Sequence, residues 1–405
     1  MKSPFMTIRR AAVLCALSAA LFTGLAPQAH AAKKSPKGDD AASAESKKDA
    51  KLREKMDKER KKKNASPAKM DALAKKQVAA LQKQFAKDPS KLSRIPATDV
   101  PEDKLDALQK LADAGDPESL ILLGHYYMQH DELGQDALNK AGDLYKKAAD
   151  YDDGNGMAWY GLWAYVSAEN PADAPKRCLA WAERAAEKES PIGLYLAAML
   201  QDSKKQELLG KAANAGFVPA MREYGRTLQD ANGRLTAAGR AWVEMAAKFG
   251  DAAACELASG QGRGSKKDLA ADAAKAEPLL REAVKLAKER KWNWFGTVFD
   301  TDKFEDRGAW GGARCSLLFA AYSSLCRVQE AAGKPADAAV KELVDYLAAE
   351  AKSGDVGAMA GLVALGAKFD TWFGSMECPY DSAPYRDMLQ QARQDKKPHA
   401  AVVQE

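Results

Sequence analysis

The chain has 405 residues, of which 46% are hydrophobic, and a formal net charge of +5 at pH 7. Alanine is abundant and runs of β-branched residues are scarce, which excludes a sheet-rich fold and predicts an all-α protein. Residues 32–64 alone carry a net charge of +6, and residues 65–405 carry about −4. The acidic body has no basic stripe interleaved with aromatic residues, so we expect no nucleic-acid partner.

Residues 1–31 have the features of an export signal. Three basic residues precede an apolar stretch at 11–25, and Ala29-His30-Ala31 forms a small-x-small cleavage pattern. We expect cleavage after Ala31 and a periplasmic or secreted protein. The apolar stretch is shorter than the about 20 residues that span a membrane. An uncleaved anchor is therefore the weaker alternative, and we expect no integral membrane span after cleavage.

Residues 32–68 are predicted to form a charged linker. They contain almost no large apolar residue, so they cannot bury enough surface to offset the entropy of ordering. Charges of opposite sign alternate from Lys47 to Lys63, which leaves a lone solvated helix as an alternative to disorder. The excess of basic residues also allows a weak contact with an anionic envelope surface.

Two sets of small residues recur between residues 69 and 290. The first set ends the second helix of each predicted unit and consists of Ala149, Ala186, Ala213, Ala247 and Val284. The second set lies in the preceding helices and consists of Gly124, Gly161, Ala198 and Gly225. A period near 34 to 37 residues, with one short step of 27, accommodates two helices and two turns. The unit is therefore a helical hairpin, and stacked hairpins predict an α-solenoid.

The predicted packing residues combine small and large side chains on facing positions. The small ones, which let two helices approach closely, are Gly124, Ala148, Ala149, Gly161, Ala186, Gly225 and Ala247. The large ones, which fill the space beside them, are Tyr127, Trp181 and Trp242.

These units resemble the Sel1-like repeat family, a relative of the tetratricopeptide solenoids. The family's opening Leu-Gly-x-x-Tyr matches Leu123 to Tyr127, and its Gly-x-Gly-Val-x-x-Asp matches 262–268 with Ser265 in place of valine. Its closing Lys-Ala-x-x-Trp-Tyr-x-Lys-Ala-Ala matches 140–149 and 177–186. The resemblance covers about 103–290. It implies a right-handed superhelix that serves as an adaptor for other proteins.

Residues 291–312 are interpreted as an aromatic-rich insertion, because the repeat pattern breaks there. The predicted partner-binding residues are Trp292, Trp294, Phe295 and Trp310. Aromatic side chains at a surface contribute strongly to binding because they bring large area at low entropic cost. Two interpretations stay open: a recognition loop, or a hydrophobic plug that joins two halves of the solenoid.

Residues 313–392 are predicted to continue the helical hairpins, and 393–405 form a polar tail. The sequence of residues 351–355 echoes that of 247–251. Five cysteines remain after signal cleavage, and we expect them to be buried small apolar residues. Cys315 and Cys326 lie on one predicted helix, eleven residues apart, which is too far for a disulfide between them.

The motifs of common catalytic sites are missing from the sequence. It contains no His-Glu-x-x-His, Cys-x-x-Cys or Gly-x-Ser-x-Gly. Residues 150–156 resemble the start of an EF-hand but lack its Gly and Glu, so we interpret them as a turn between repeats. The glycines of 260–264 follow no strand and are interpreted as a loop within a hairpin. We therefore predict no enzyme, no metal and no cofactor.

The sequence as a whole predicts an exported adaptor that binds another protein in a solenoid groove. One alternative is a cell-envelope glycan-binding protein or hydrolase that uses the aromatic residues of 291–312. Another is an assembly factor that acts through the charged segment 32–64. The sequence does not identify the partner.

Overall fold

The computed structural model of the chain describes residues 54–55, 58, 67–92, 102–129, 135–167, 173–260, 266–289, 313–367, 369–374 and 377–395. Regular structure in these ranges is helical, apart from one isolated β-bridge between Gln229 and Leu235. The prediction of an all-α fold is therefore confirmed. No helix in the described ranges combines the length and the apolar character that a membrane span requires.

Two separate helices come first in the described chain. Helix α1 spans Pro67–Lys87 and helix α2 spans Leu105–Asp113. Short 3-10 turns lie at Pro89–Lys91 and at Glu102–Lys104. Helix α2 packs against the helix that follows it, whereas α1 has a different neighbour, described below.

Seven pairs of helices follow α2 in the described ranges. In chain order they are α3 Pro117–Gln129 with α4 Gln135–Asp150, α5 Gly154–Val166 with α6 Ala174–Glu187, α7 Pro191–Leu200 with α8 Lys205–Asn214, α9 Val218–Thr227 with α10 Ala237–Lys248, α11 Ala252–Ala258 with α12 Lys266–Glu289, α13 Ala313–Ala331 with α14 Asp337–Lys352, and α15 Val356–Ala367 with α17 Ala383–Gln394. The short helix α16, Phe369–Phe373, lies within the last pair.

Each pair packs within itself and against the next pair in the chain. The first helices of neighbouring pairs also touch directly, as α3 does with α5 and α5 with α7. One continuous hydrophobic core runs through the stack, from Val78 to Ala392. Because each pair buries its apolar face mainly against its neighbours, the described chain is an α-solenoid, as predicted.

The described turns between consecutive hairpins, and the turn before α3, share one backbone geometry. Each contains one residue with positive φ, and these residues are Gly115 (88°), Asp152 (62°), Glu189 (57°), Gly216 (95°), Gly250 (85°) and Gly354 (101°). The amide of Gly250 donates to the carbonyl of Ala247 at 3.0 Å, and the amide of Asp251 donates to that of Ala246 at 3.1 Å. This pattern satisfies carbonyls that would otherwise lack partners at the end of a helix.

The residue after the positive-φ position usually caps the next helix. Side-chain oxygens at this position accept a backbone N–H three residues on, and the residues are Asp116, Asp153, Ser190, Asp251 and Asp355. One such unit, residues 150–156, is therefore a turn between repeats, as predicted. Phe217 occupies the same position after Gly216 and makes no side-chain cap.

Helix α1 does not follow the chain order of the stack. It packs against α10, and its Phe85 ring meets Phe249 edge-on with 6.0 Å between ring centroids. Gln77 Nε2 donates to Asn214 Oδ1 at 2.5 Å. The helix therefore lies against hairpins that are far away in sequence. The predicted solenoid start at residue 69 falls inside α1, and the domain boundaries as a whole stay a prediction.

Helix α13 packs along α12 and against α14. Glu342 of α14 accepts hydrogen bonds from Lys288 Nζ at 2.9 Å and from the Tyr322 hydroxyl at 2.7 Å. The Lys288 ammonium also lies 4.8 Å from the centre of the Tyr346 ring. These contacts hold the two parts of the stack together on either side of residues 290–312, which are outside the described ranges.

Candidate interaction surface

The four aromatic residues predicted to bind a partner lie outside the described residues. They are Trp292, Trp294, Phe295 and Trp310. Their role stays a prediction, and the choice between a recognition loop and a plug stays open. The candidate surface therefore consists of other residues, all of them in the described ranges.

The predicted packing glycines lie where the two helices of one pair approach closely. A Cβ added at Gly124 would lie 2.4 Å from Tyr145 Cε1, and one added at Gly161 would lie 2.8 Å from Trp181 Cβ. A Cβ at Gly225 would lie 2.8 Å from Val243 Cγ2 and 3.2 Å from Trp242 Cβ. A side chain at any of these positions would push the two helices apart.

The remaining predicted packing residues are mostly in the core. Ala148, Ala149, Ala247 and Trp242 are buried. Ala186 and Tyr127 are half-buried, and the Tyr127 ring lies under the Lys140 ammonium at 4.2 Å. Tyr127 is thus part of a partly exposed surface as well as of the packing.

Two further glycines that the sequence analysis did not single out join consecutive pairs. A Cβ at Gly156 would lie 2.7 Å from the carbonyl carbon of Ala148, and one at Gly193 would lie 2.8 Å from that of Ala185. Both glycines lie three residues after the side chain that caps their helix, Asp153 or Ser190. A glycine three positions after a capping residue is the sequence signal that could have identified them.

Half-buried aromatic residues form a cluster on the second pair. Tyr160 and Trp163 of α5 stack with 5.2 Å between ring centroids and 17° between planes, and Trp181 of α6 meets Tyr160 edge-on at 4.8 Å. The Arg184 guanidinium lies 4.2 Å from the Trp181 ring centre, and the Lys146 ammonium lies 5.9 Å from it. We call these five residues the aromatic cluster. Only Trp181 was predicted from the sequence.

The same positions carry smaller side chains in the third pair. Counted from the positive-φ residue of the preceding turn, Ala197 takes the position of Tyr160. Counted back from the following turn, Leu208 takes the position of Trp181. Both residues line a groove of about 1230 Å³. The groove therefore lies where the third pair has small side chains at the positions that large aromatic rings occupy in the second pair.

Residues of five helices line the groove. Glu183 and Glu187 of α6 form one side, and Ala197 of α7 and Gln201, the residue after α7, lie between. The α8 residues from Gln206 to Asn214 form the other side, and Tyr224 of α9 also contributes. Gln77 of α1 completes the lining through its hydrogen bond to Asn214. We call this feature the α6–α8 groove.

Acidic side chains outnumber basic ones along the groove. The acidic ones are Glu183, Glu187, Glu189 and Glu207, and the basic ones are Lys204 and Lys211. The side-chain hydrogen bond and charge of Lys211, 2.6 Å away, hold the pKa of the Glu207 carboxyl below its ordinary value. Gln201 Nε2 donates to Glu183 Oε1 at 2.5 Å. This excess of carboxylates favours basic groups of a partner.

A buried ion-pair network stabilises the fourth pair. Arg222 Nη1 donates to both carboxylate oxygens of Asp251, at 2.8 and 2.7 Å, and Arg222 Nε donates to Glu223 at 2.9 Å. Burial alone would lower the pKa of the Arg222 guanidinium, but the two carboxylates outweigh that effect and raise it. Asp251 also caps α11 by accepting from the Ala254 amide. One side chain therefore links α9, the turn and α11.

Burial favours the neutral forms of one histidine and two cysteines outside this network. Burial lowers the pKa of His125 to about 3, and the ring Nδ1 lies 2.7 Å from the Tyr145 hydroxyl. Burial raises the pKa of the Cys178 and Cys326 thiols to about 12. Within the described ranges, no group of three or more His, Cys, Asp or Glu could hold a metal. His125, Cys178 and Cys326 are all buried in the folded stack.

The cysteines agree in part with the expectation of burial. Cys178, Cys255 and Cys326 are buried free thiols. Cys378 is exposed, because it lies in the irregular segment between α16 and α17. Helix α13 contains positions 315 and 326, as predicted.

Comparison with known proteins finds similarity at the level of structure. No protein-family model and no curated protein matches the chain. A solved structure, described as a protective antigen present in uropathogenic Escherichia coli strains and displaying an SLR fold, matches with 18% identity over 73% of this chain and 73% of that one. Its TM-score is 0.34, so the match carries no argument about this chain. The α-solenoid assignment depends on the helix packing described above.

Proposed function

We propose that this chain is an adaptor of the Sel1-like repeat type, without catalytic activity, that binds another protein along the aromatic cluster and the α6–α8 groove. The observation that carries the proposal is the continuity of these two features on adjacent hairpins. Half-buried aromatic rings flanked by Lys146 and Arg184 adjoin an acidic groove across helix α6. Aromatic and arginine side chains are the residue types that contribute most to protein interfaces.

The architecture supports the same proposal. Stacked hairpins produce an extended surface whose successive units present different side chains at equivalent positions. An open groove with mixed polar and apolar lining suits a peptide segment or a helix of a partner. The glycan-binding alternative depends on aromatic residues of 291–312, and no described residue favours it.

Position-dependent crosslinking tests the proposal. A photo-crosslinking amino acid placed at Glu187 or at Lys204, both at the groove, is expected to capture the same partner in cells. The same amino acid at Lys341, an exposed position on α14, is the matched control and should capture nothing specific. Identical products from all three positions, or none from the two groove positions, would contradict the proposal.

We also propose that the protein is exported after removal of residues 1–31. The support is the sequence pattern of basic residues, apolar stretch and Ala29-His30-Ala31. The mass of the protein isolated from the cells that make it decides the point. A chain that begins at Ala32 and lies outside the cytoplasm is expected, and an intact cytoplasmic chain that begins at Met1 would refute export.

A further inference from the structure

Helix α1 docks on a stack that is already continuous without it. Helices α7, α8, α9 and α10 each pack against their chain neighbours. Helix α1 approaches α8 and α10 from the side, out of chain order. Helix α1 therefore lies on the stack as a bound peptide would, although it belongs to the same chain.

The docked face of α1 is one stripe of an amphipathic helix. Its buried residues, spaced as on one helix face, are Ala74, Gln77, Val78, Leu81 and Phe85. Its exposed lysines are Lys69, Lys75, Lys76, Lys83 and Lys87, and the helix has a single acidic residue, Asp71. Helix α1 is thus basic on its outer surface and apolar where it docks.

The receiving surface is shaped for such a stripe. Phe85 meets the Phe249 ring and also packs beside Gly216, where an added Cβ would lie 3.1 Å from Phe85 Cε1. Gln77 is the one polar residue of the stripe, and its side-chain amide Nε2 donates to Asn214 Oδ1 at 2.5 Å. Asn214 is held in place because its Nδ2 donates to the carbonyl of Gly210 at 2.6 Å. Apolar contacts and one matched polar pair together define the register.

The carboxylates beside the docked helix also favour a helix that carries positive charge. The α6–α8 groove borders α1 at Gln77, and acidic side chains predominate along it. A helix that presents lysines around an apolar stripe therefore matches both the surface beneath it and the groove next to it.

We infer that the surface formed by α8, α10 and the turns after them is a docking site for a basic amphipathic helix, and that α1 occupies this site in cis. The partner that fits is a protein helix with the same apolar stripe and a lysine-rich outer face, and it binds by replacing α1. This inference rests on the proposed function, because it extends the binding surface of the adaptor from the α6–α8 groove to the surface beside it and names the class of partner that fits there.

Occupation in cis sets a threshold for binding. A tethered helix has an effective concentration on the order of millimolar, so a free helix of equal affinity competes poorly with it. The apparent affinity of a partner falls in proportion to the fraction of molecules in which α1 is undocked. Weakening the α1 contacts should therefore strengthen binding in trans.

The test uses the full chain and a fluorescein-labelled synthetic peptide of residues 67–87. Leu81→Asp combined with Phe85→Asp should release α1, and the peptide is expected to bind this variant at least tenfold more tightly than it binds the wild-type chain. The milder Phe85→Ala variant should give an intermediate affinity. A peptide that carries both aspartates should bind none of the proteins.

The matched control changes the exposed face of α1 without changing its charge. Ala72→Ser with Ala79→Ser leaves the docked stripe and the lysines intact, so peptide affinity should equal that of the wild-type chain. Equal affinity for wild type, Phe85→Ala and the double aspartate variant would overturn the inference. Loss of cooperative unfolding in Phe85→Ala would also overturn it, because α1 would then be integral to the fold. Neither result alters the crosslinking test of the adaptor itself.

Discussion

The aromatic hairpins (α3 to α6) and the short hairpins (α7 to α10) use the same connecting turns but present different surfaces. Helices of the aromatic hairpins have 13 to 16 residues, whereas those of the short hairpins have 10 to 12. In the former, Tyr160 and Trp181 fill the positions between helices. In the latter, Ala197 and Leu208 leave the α6–α8 groove open. Side-chain size and helix length, not the turn, distinguish the two regions.

The short hairpins have two further stabilising contacts. Helix α1 covers part of their side, and the buried Arg222–Asp251 pair ties α9 to the next turn. Both contacts add to a well-buried apolar core in these hairpins. The predictions below test this contrast in order of expected size.

The largest expected effect is a difference in the free energy of unfolding between alanine variants of two aspartates at equivalent turn positions. Asp153 and Asp251 both cap a helix, but only Asp251 also binds Arg222. Asp251→Ala should lower the free energy of unfolding by about 3–5 kcal/mol because a buried guanidinium loses its main partner. Asp153→Ala should cost about 1 kcal/mol, the value of a cap. Urea unfolding followed by circular dichroism measures both, and equal losses would show that the ion pair is unimportant.

The second prediction concerns backbone contact between helices. An added Cβ at Gly193 would meet the backbone of Ala185 at 2.8 Å, which cannot rotate away. Gly193→Ala should therefore destabilise the protein by about 2–3 kcal/mol. Gly210 in the same pair is the control, because its Cβ would lie 3.2 Å from the Tyr224 ring and the helix would gain from alanine. Gly210→Ala should stay within about 1 kcal/mol of wild type, and similar melting temperatures for the two variants would disprove close contact.

The third prediction is a pH dependence from the aromatic hairpins. The pKa of His125 is about 3 in the folded protein, below its ordinary value of 6.5, because burial disfavours the charged ring. The unfolded chain therefore binds a proton that the folded chain does not, and stability falls as the pH drops below about 6.5. Between pH 7 and pH 5 the loss should be about 2 kcal/mol.

His125→Gln supplies the comparison for this pH effect. The variant should be less stable at pH 7 because the packing against Trp159 is altered, but its stability should change less between pH 7 and pH 5. Urea unfolding at both pH values gives the two differences. An identical pH dependence in the variant and the wild type would show that His125 is not the responsible group.

The smallest expected effect concerns the turns themselves. Glu189 ends the aromatic hairpins with φ of 57°, a conformation that costs a non-glycine residue about 1 kcal/mol. Glu189→Gly should therefore raise the free energy of unfolding by up to about 1 kcal/mol. Gly216→Ala, at the equivalent turn of the short hairpins, should have the opposite effect, because φ is 95° and the Cβ would lie 2.3 Å from the Lys91 carbonyl oxygen. Stabilisation by both substitutions would contradict this account of the turns.

Much of the stack was predictable from residues close together in the sequence. The small residues at Gly124, Gly161 and Gly225 mark where helices of one pair meet, and the structure places each against a large neighbour. The echo between residues 247–251 and 351–355 marks two equivalent turns, and a third has the same geometry at Gly115 and Asp116. The pattern Ala-x-x-Gly-Asp is common to all three. Local signals suffice for hairpins because each packs mainly against its immediate neighbours.

The candidate surface was less predictable. The aromatic cluster needs knowledge of which face of α5 is left partly uncovered, and Tyr160 and Trp163 look like core residues in the sequence. The groove forms because the third pair has small side chains where the second pair has large rings. This difference is seen only when Ala197 and Leu208 are compared with Tyr160 and Trp181, their equivalents in the second pair. Neither feature has a local signature.

The sequence by itself determined the helical hairpin, its period and the turn that joins one hairpin to the next, because those depend on residue size and backbone preference within a few tens of residues. Tertiary structure alone decided where α1 docks. Its apolar stripe predicts burial but not a destination, since any sufficiently apolar surface would satisfy it. The match of Phe85 to Phe249 and of Gln77 to Asn214 selects the side of α8 and α10, and that match exists only in the folded stack.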